Sequence, residues 1–428
     1  MRLKVLNGRL IDPARGVDAF ADLFLADGKV VAEAPPGEMD PSLRADRTLD
    51  ARGRWVVPGL IDLHVHLREP GEEYKETIET GLRAAAAGGF TAVAAMPNTK
   101  PPNDRRSVTE HLLKLAAAVK GARLHPVAAV TVGREGKNLT EFGDLLDAGV
   151  VGFSDDGACV ADPGTMRRAL EYAATFDALI MQHAEEPRLT VEALAHEGPR
   201  ATRLGLRGWP SVAEEAIVAR DLLLAAYVDA RIHVQHVSTA GAVEMIRAAK
   251  ARGVKVTAEV TPHHLALTDA ALEGYDTNAK VNPPLREESD RLALLAGLID
   301  GTIDCVATDH APHSGLEKQI EFDRAAFGAS GLETAVPVML GLVRAGKIPA
   351  ARMVESMSAA PARVLRIPGG RLGIGDPADL AIIDPERPYR IDPSSFVSKG
   401  RNTPFAGSEA PGRAVATVAG GEVVFELS

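Results

Sequence analysis

With 428 residues, 46% of them hydrophobic, the chain is too apolar to be disordered and long enough to bury one large core beside a smaller companion. Acidic residues outnumber basic ones 58 to 48, and the resulting net charge of −10 argues against nucleic acid or an anionic membrane surface as the main partner. Two distant cysteines, Cys159 and Cys305, suggest no disulfide framework; both read as small buried apolar residues in a reducing compartment. The opening Met1-Arg2-Leu3-Lys4-Val5-Leu6 lacks a signal-peptide core, and no stretch approaches the ~18 apolar residues of a membrane span. The cytoplasm is the expected location.

Residues 1–53 read as strands and turns: Leu3–Leu6, a turn at Asn7-Gly8, Arg9–Asp12, then Asp22–Leu25 and Lys29–Ala32 around Asp27-Gly28. Residues 54–366 alternate short apolar strands with Ala/Leu-rich helical patterns. Strands are predicted near 57–65, 91–96, 124–130, 149–154, 178–183, 231–236, 254–260 and 303–308, with helices over 77–87, 108–119, 163–175, 211–226 and 241–251. This alternation predicts an α/β fold with a parallel (β/α)8 TIM-like barrel; an open doubly wound sheet is the competing arrangement. Residues 367–428 return to strands at Ala378–Asp384, Ala414–Val418 and Glu422–Phe425, and Asp392–Gly412 reads as an extended crossing segment. The two ends are expected to fold together into one small composite β-sandwich domain.

The run Trp55–Ile61 leads into Asp62-Leu63-His64-Val65-His66-Leu67-Arg68. In a strand, alternate side chains face the same way, so His64 and His66 can converge on one metal ion. The alternative is a pair of polar residues on a half-exposed strand, but the apolar run before them favours a buried strand, where unliganded imidazoles need other partners. Further ligand types recur at the predicted strand ends: Asp155 and Asp156 after the fourth, His183 after the fifth, His236 after the sixth and Asp309 after the eighth. Barrel enzymes place their active sites at that face. Imidazole and carboxylate suit Zn²⁺. Four histidines and two aspartates exceed the needs of one four-coordinate ion with an open position, whereas two ions would use them all.

Several motifs resemble a known family. Asp62-x-His64-x-His66-x-Arg68-x-Pro70-Gly71, Met96-Pro97-Asn98-Thr99, Gly152-Phe153-Ser154-Asp155-Asp156-Gly157, Val260-Thr261-Pro262-His263-His264 and Ala307-Thr308-Asp309-His310-Ala311-Pro312-His313 together look like a bacterial class I dihydroorotase of the amidohydrolase superfamily. The likeness covers essentially the whole chain. It implies that His64 and His66 bind one zinc ion, His183 and His236 a second, and Asp156 (rather than Asp155) bridges them, with Asp309 a ligand and the catalytic acid/base. Related hydantoinases and dihydropyrimidinases carry a carboxylated lysine at the fourth strand; this strand end has none.

For the substrate, Arg68 offers a planar fork to a carboxylate and Asn98 an amide. The resemblance adds His66, Asn282, His313 and the backbone of Phe327 and Gly328, with Ser314–Gln319 as a mobile lid. His263, His264 and His310 read as structural or ligand-orienting, and His111, His125, His196 and His233 as surface, helix or back-of-strand positions. The implied reaction is the reversible, zinc-dependent interconversion of dihydroorotate and N-carbamoyl-aspartate in pyrimidine (UMP) synthesis. A homodimer is expected, with association with an aspartate transcarbamoylase an open possibility. The rivals are an allantoinase or hydantoinase, and a noncatalytic transcarbamoylase partner subunit.

Overall fold

In the computed structural model, which describes residues 1–427, the two ends of the chain share one eight-stranded sheet. Leu3–Asp12, Val17–Ala26, Lys29–Ala34, Arg47–Asp50 and Trp55–Pro58 come from the N-terminal side; Leu380–Asp384, Arg413–Ala419 and Glu422–Glu426 come from the other end. The seam lies where Trp55–Pro58 runs antiparallel to Leu380–Ile383 and parallel to Arg9–Leu10. Alternation along these strands buries Leu3, Val5, Leu23, Leu25, Val56, Leu380, Ile382 and Val418 in one apolar cluster.

Two expectations change here. The turn at Asn7-Gly8 is a bulge within a single strand: the register with Val17–Ala26 shifts between Val5 and Gly8, and Asn7 takes φ 63°. The Asp22 carboxylate accepts the Asn7 N–H at 2.7 Å, and Gly8 lies so close to Val56 that a Cβ would come within 2.3 Å of its Cγ2. The strand expected over 57–65 is two strands, parting at Gly59: the first belongs to the terminal sheet and Leu60–Val65 to the middle of the chain. A Cβ at Gly59 would lie 2.2 Å from Thr91 Oγ1.

In the middle, the strand pairs among the described residues are parallel. Leu60–Val65, Phe90–Ala95 and Arg123–Pro126 form one set, and Leu179–Gln182, Arg231–Val234, Val256–Val260 and Cys305–Val306 another. Single parallel bridges join the sets, Ala128 to Phe153, Phe153 to Ile180, and Val65 to His310. The fourth predicted strand is thus reduced to Val151–Ser154, because the chain turns at once to bury the Asp155 and Asp156 side chains. Helices such as Ile78–Ala87, Pro163–Ala174, Val212–Val228 and Ala240–Ala251 follow the strands, and their buried faces meet Leu82, Phe90, Phe153, Ile180, Ile232 and Val260 in the main core. Thr77 caps the first of these by accepting the Thr80 N–H, and Asp162 caps the second through Thr165.

Candidate metal centre and substrate cleft

The strand ends bring His64, His66, Asp156, His183, His236 and Asp309 together, all buried. Asp156 stands between the histidines. Its Oδ1 lies 3.3 Å from His64 Nε2 and 3.6 Å from both His183 Nδ1 and His236 Nε2, while its Oδ2 lies 3.5 Å from His66 Nε2. Asp309 Oδ1 sits 3.0 Å from His66 Nε2 and 3.6 Å from His64 Nε2. Two groups can each hold a metal ion, His64 with His66 and Asp156, and Asp156 with His183 and His236. Asp155 points elsewhere: its Oδ1 accepts the Thr131 N–H at 3.0 Å and its Oδ2 accepts the Thr131 hydroxyl.

The donor set fits a cation. His64 Nε2 and Asp156 Oδ1 are buried with no hydrogen-bond partner, a costly condition that a bound ion removes. The electrostatics agree. Burial opposes charge on His183, yet Asp156 and Glu185 override it and push the ring up to about 9. Burial likewise opposes ionisation of Asp156, but His64, His183 and His236 hold its carboxyl well below the carboxylate range. The same balance, with His64 and His66 overriding burial, keeps Asp309 ionised. Buried carboxylates that draw charge onto imidazoles create the potential a metal cation answers.

Two acids that sequence reasoning did not single out orient these ligands. Glu259, fully buried on Val256–Val260, accepts from His64 Nδ1 at 2.6 Å, from the His236 N–H at 3.2 Å and from His233 Nε2 at 3.1 Å. Glu185 accepts from His183 Nε2 at 2.9 Å and from Asn282 Nδ2 at 3.3 Å. A carboxylate on the far nitrogen sets the tautomer and angle of a ligating imidazole. The available signals were the acid closing an otherwise apolar strand and the spacing His183-Ala184-Glu185. His233 is therefore fully buried beneath the centre, and His196 is buried against Arg286, while His111 is exposed and His125 half-buried. Backbone strain also gathers here: Arg68, His236 and Asp309 take φ of 63°, 31° and 47°.

A cleft opens over the ligands. Arg68, Asn98, Asn282, His313, Phe327 and Gly328 line its wall. Asn98 Oδ1 is taken by His66 Nδ1 at 2.8 Å, which leaves its amino group for a ligand. Asn282 Oδ1 and His313 Nδ1 are buried and unpartnered. Burial, with Arg68 nearby, pushes His313 down to about 3, so the ring is neutral. Its Nε2 lies 2.8 Å from the Phe327 carbonyl. Gly328 is already bonded through both backbone groups, its N–H to the Lys280 carbonyl at 2.9 Å and its carbonyl to Lys318 Nζ and Asn402 Nδ2 at 3.0 and 3.1 Å. The segment expected as a lid is a capped helical turn, Gly315–Lys318, with Ser314 and Glu317 closing a capping box. His310 bonds to Glu76, and His264 holds the Pro283 carbonyl at 3.1 Å, so both are structural; His263 is buried beside His264.

Similarity to known proteins follows this geometry. Superposed on an L-hydantoinase (dihydropyrimidinase) from Arthrobacter aurescens, the chain gives a TM-score of 0.89 at 29% identity, covering 99% of this chain and 96% of that one. A D-hydantoinase gives 0.85 at 26%, with 100% and 96% covered. The fold is that of a cyclic-amide hydrolase. Residues 53–242 match the Dihydro-orotase-like family model. The sequence is 53% identical over 426 residues to a dihydroorotase of Anaeromyxobacter dehalogenans, covering 99% of this chain and 98% of that one. It is 50% identical over 428 residues to a dihydroorotase of Syntrophotalea carbinolica, with both chains fully covered. The chain belongs to the dihydroorotase family.

Proposed function

We propose that this protein interconverts (S)-dihydroorotate and N-carbamoyl-L-aspartate, closing the ring in the direction of pyrimidine synthesis. Arg68 carries the reading. The residue is 8% exposed, and its guanidinium donates only to the Pro312 carbonyl at 3.3 Å and towards His313 at 3.4 Å, with no carboxylate within ion-pairing distance among the described residues. A buried cation without an anion is costly, and the carboxylate of dihydroorotate supplies the partner its planar fork is shaped for.

Two zinc ions would be held by His64 and His66 on one side and by His183 and His236 on the other, with Asp156 shared and Asp309 beside the first pair. When bound, such a pair lowers the pKa of water and polarises a carbonyl. The chain's own residues do the rest. Arg68, Asn98 and Asn282 hold the carboxylate and orient the ring, and neutral His313 presents an imidazole nitrogen to it. Asp309 takes the proton of the attacking water and returns it to the departing ring nitrogen; cyclisation reverses both transfers.

Around this site we read a (β/α)8 barrel over residues 54–366 and a composite β domain from 1–53 and 367–428, with Trp55–Pro58 as the shared seam. The parallel bridges at Phe153 and between Val65 and His310 support closure of the ring of strands. Exposed Val212, Leu223 and Tyr227 on one helix support a homodimer, and two free thiols support a cytoplasmic location; no helix of the described residues is long and apolar enough to cross a membrane.

Zinc-loaded protein should hydrolyse dihydroorotate faster than hydantoin or allantoin, with metal content measured on the same sample. Faster turnover of hydantoin or allantoin would move it to another cyclic-amide hydrolase, and no turnover at full metal content would favour a noncatalytic subunit. Arg68→Lys exchanges a bidentate fork for a point charge and should lower kcat/KM for dihydroorotate by about tenfold or more. Dihydrouracil, which has no carboxylate, should lose far less. Equal losses on the two substrates would remove Arg68 from carboxylate binding.

A further inference from the structure

The segment Phe396–Thr403, from the C-terminal part of the chain, passes directly behind the two stretches that wall the cleft. Glu333 anchors its start by accepting the N–H groups of Val397 and Ser398 at 2.9 and 3.0 Å, and Glu76 accepts the Lys399 N–H at 3.2 Å and the Ser398 hydroxyl. Gly400 approaches so closely that a Cβ would lie 2.4 Å from Ser330 Oγ and 2.5 Å from Pro312 Cβ. Two residues on, Asn402 is 4% exposed and does not line the cleft.

The Asn402 amide behaves as a peptide group inserted between the two stretches. Ala311 and Ala329 are still paired directly, the Ala311 N–H donating to the Ala329 carbonyl at 2.8 Å. The pairing here is parallel, His310 beside Ala329, with His313 following on one stretch and Phe327 preceding on the other. Asn402 Nδ2 donates to the Ala311 carbonyl at 3.0 Å and to the Gly328 carbonyl at 3.1 Å, and Oδ1 accepts the His313 N–H at 3.0 Å and the Ser330 hydroxyl at 3.0 Å. Its own carbonyl accepts the Ser330 N–H at 2.6 Å. Every polar atom of the side chain is thereby spent on backbone or side chain of these two stretches, and one amide ties the backbone of His313 to that of Gly328, beside the direct contact of His313 Nε2 with the Phe327 carbonyl.

We infer that Asn402 is a positioning residue for the substrate wall: it fixes His313 against Phe327–Gly328 and so sets affinity for the substrate ring without touching it. The inference rests on the dihydroorotase reading above. Asn402→Ala, in the full chain loaded with zinc, should raise KM for dihydroorotate about tenfold while kcat and metal content change little. Amide hydrogen exchange should quicken at His313, whose N–H loses its acceptor. Glu333→Gln, which loosens the segment upstream and leaves the Asn402 amide intact, should not raise KM. An unchanged KM in Asn402→Ala beside an active wild type, or an equal rise in Glu333→Gln, would overturn the inference. Where Asn402→Ala fails to fold, Asn402→Asp carries the test, since it keeps the shape and the Oδ1 acceptor of the His313 N–H but turns a second oxygen on the Ala311 and Gly328 carbonyls; a wild-type KM there would also overturn it. Absence of dihydroorotate turnover in the wild type would be a failure of the functional reading instead. Exchange at His313 then decides alone, faster in Asn402→Ala if the amide pins the wall and unchanged if it does not.

Discussion

Asp156→Ala should strip the protein of most of its metal and nearly all of its activity, whereas Asp155→Ala should leave both largely in place. Asp156 is the one residue common to both groups able to hold an ion, and its carboxylate lies within 3.6 Å of a nitrogen of each of the four histidines. Without it, the two histidine pairs lose their shared anion as well as a ligand. Metal-assisted stabilisation is worth several kcal/mol at the transition state, so activity should fall by at least ~10³. Asp155 instead satisfies both donors of buried Thr131, so its loss should read mainly as stability, about 1–3 kcal/mol for the stranded donors. Elemental analysis and thermal midpoints of the two variants separate the cases. Metal retained in Asp156→Ala but lost in Asp155→Ala would exchange their roles.

Asp309→Asn should keep its metal and lose at least ~10² in turnover in both directions. The substitution preserves shape and one carbonyl oxygen, and the backbone φ of 47° suits asparagine at least as well as aspartate. What disappears is the capacity to take a proton. The loss must appear both ways, because the group that protonates the leaving nitrogen in hydrolysis deprotonates the attacking nitrogen in cyclisation. The pH profile carries a second signature. His64 and His66 hold the Asp309 carboxyl below the usual carboxylate range against the opposing effect of burial, so it stays ionised as pH falls and only then gains its proton. The wild-type hydrolysis rate should drop with that protonation, on the acidic limb, and the asparagine variant should lack the limb. Near-native turnover at full metal content would leave Asp309 at most a ligand.

The α/β alternation was legible because the strands here are short apolar runs and several helices carry their own start signal, as at Thr77, Asp162, Thr239 and Thr261. The fourth strand was the least legible. Only Val151–Ser154 bonds to its neighbours there, and a run of that length has too few residues to show a period. At the N-terminus the dipeptide Asn7-Gly8 carries a strong turn signal. It became a bulge because Asp22 and Val56, both remote in sequence, take up its N–H and press against its glycine.

By itself the sequence determined the residue types at the centre and the period-two spacing that lets His64 and His66 act together, since both are local properties of a strand. It also determined family membership, through motifs spread along the whole chain. Only the tertiary structure decided which partners those residues meet. His66 reaches Asp309 across 243 residues and His64 reaches Glu259 across 195, and no local pattern encodes such pairs. The choice between Asp155 and Asp156 is of the same kind: adjacent and chemically identical, they are distinguished by Thr131 waiting for one and four imidazoles for the other. Asn402 makes the point most sharply. In sequence it is one polar residue in a Pro/Gly/Ser-rich stretch, and its meaning comes from two stretches about 70 to 90 positions earlier, whose backbone groups at Ala311, His313 and Gly328 its amide joins.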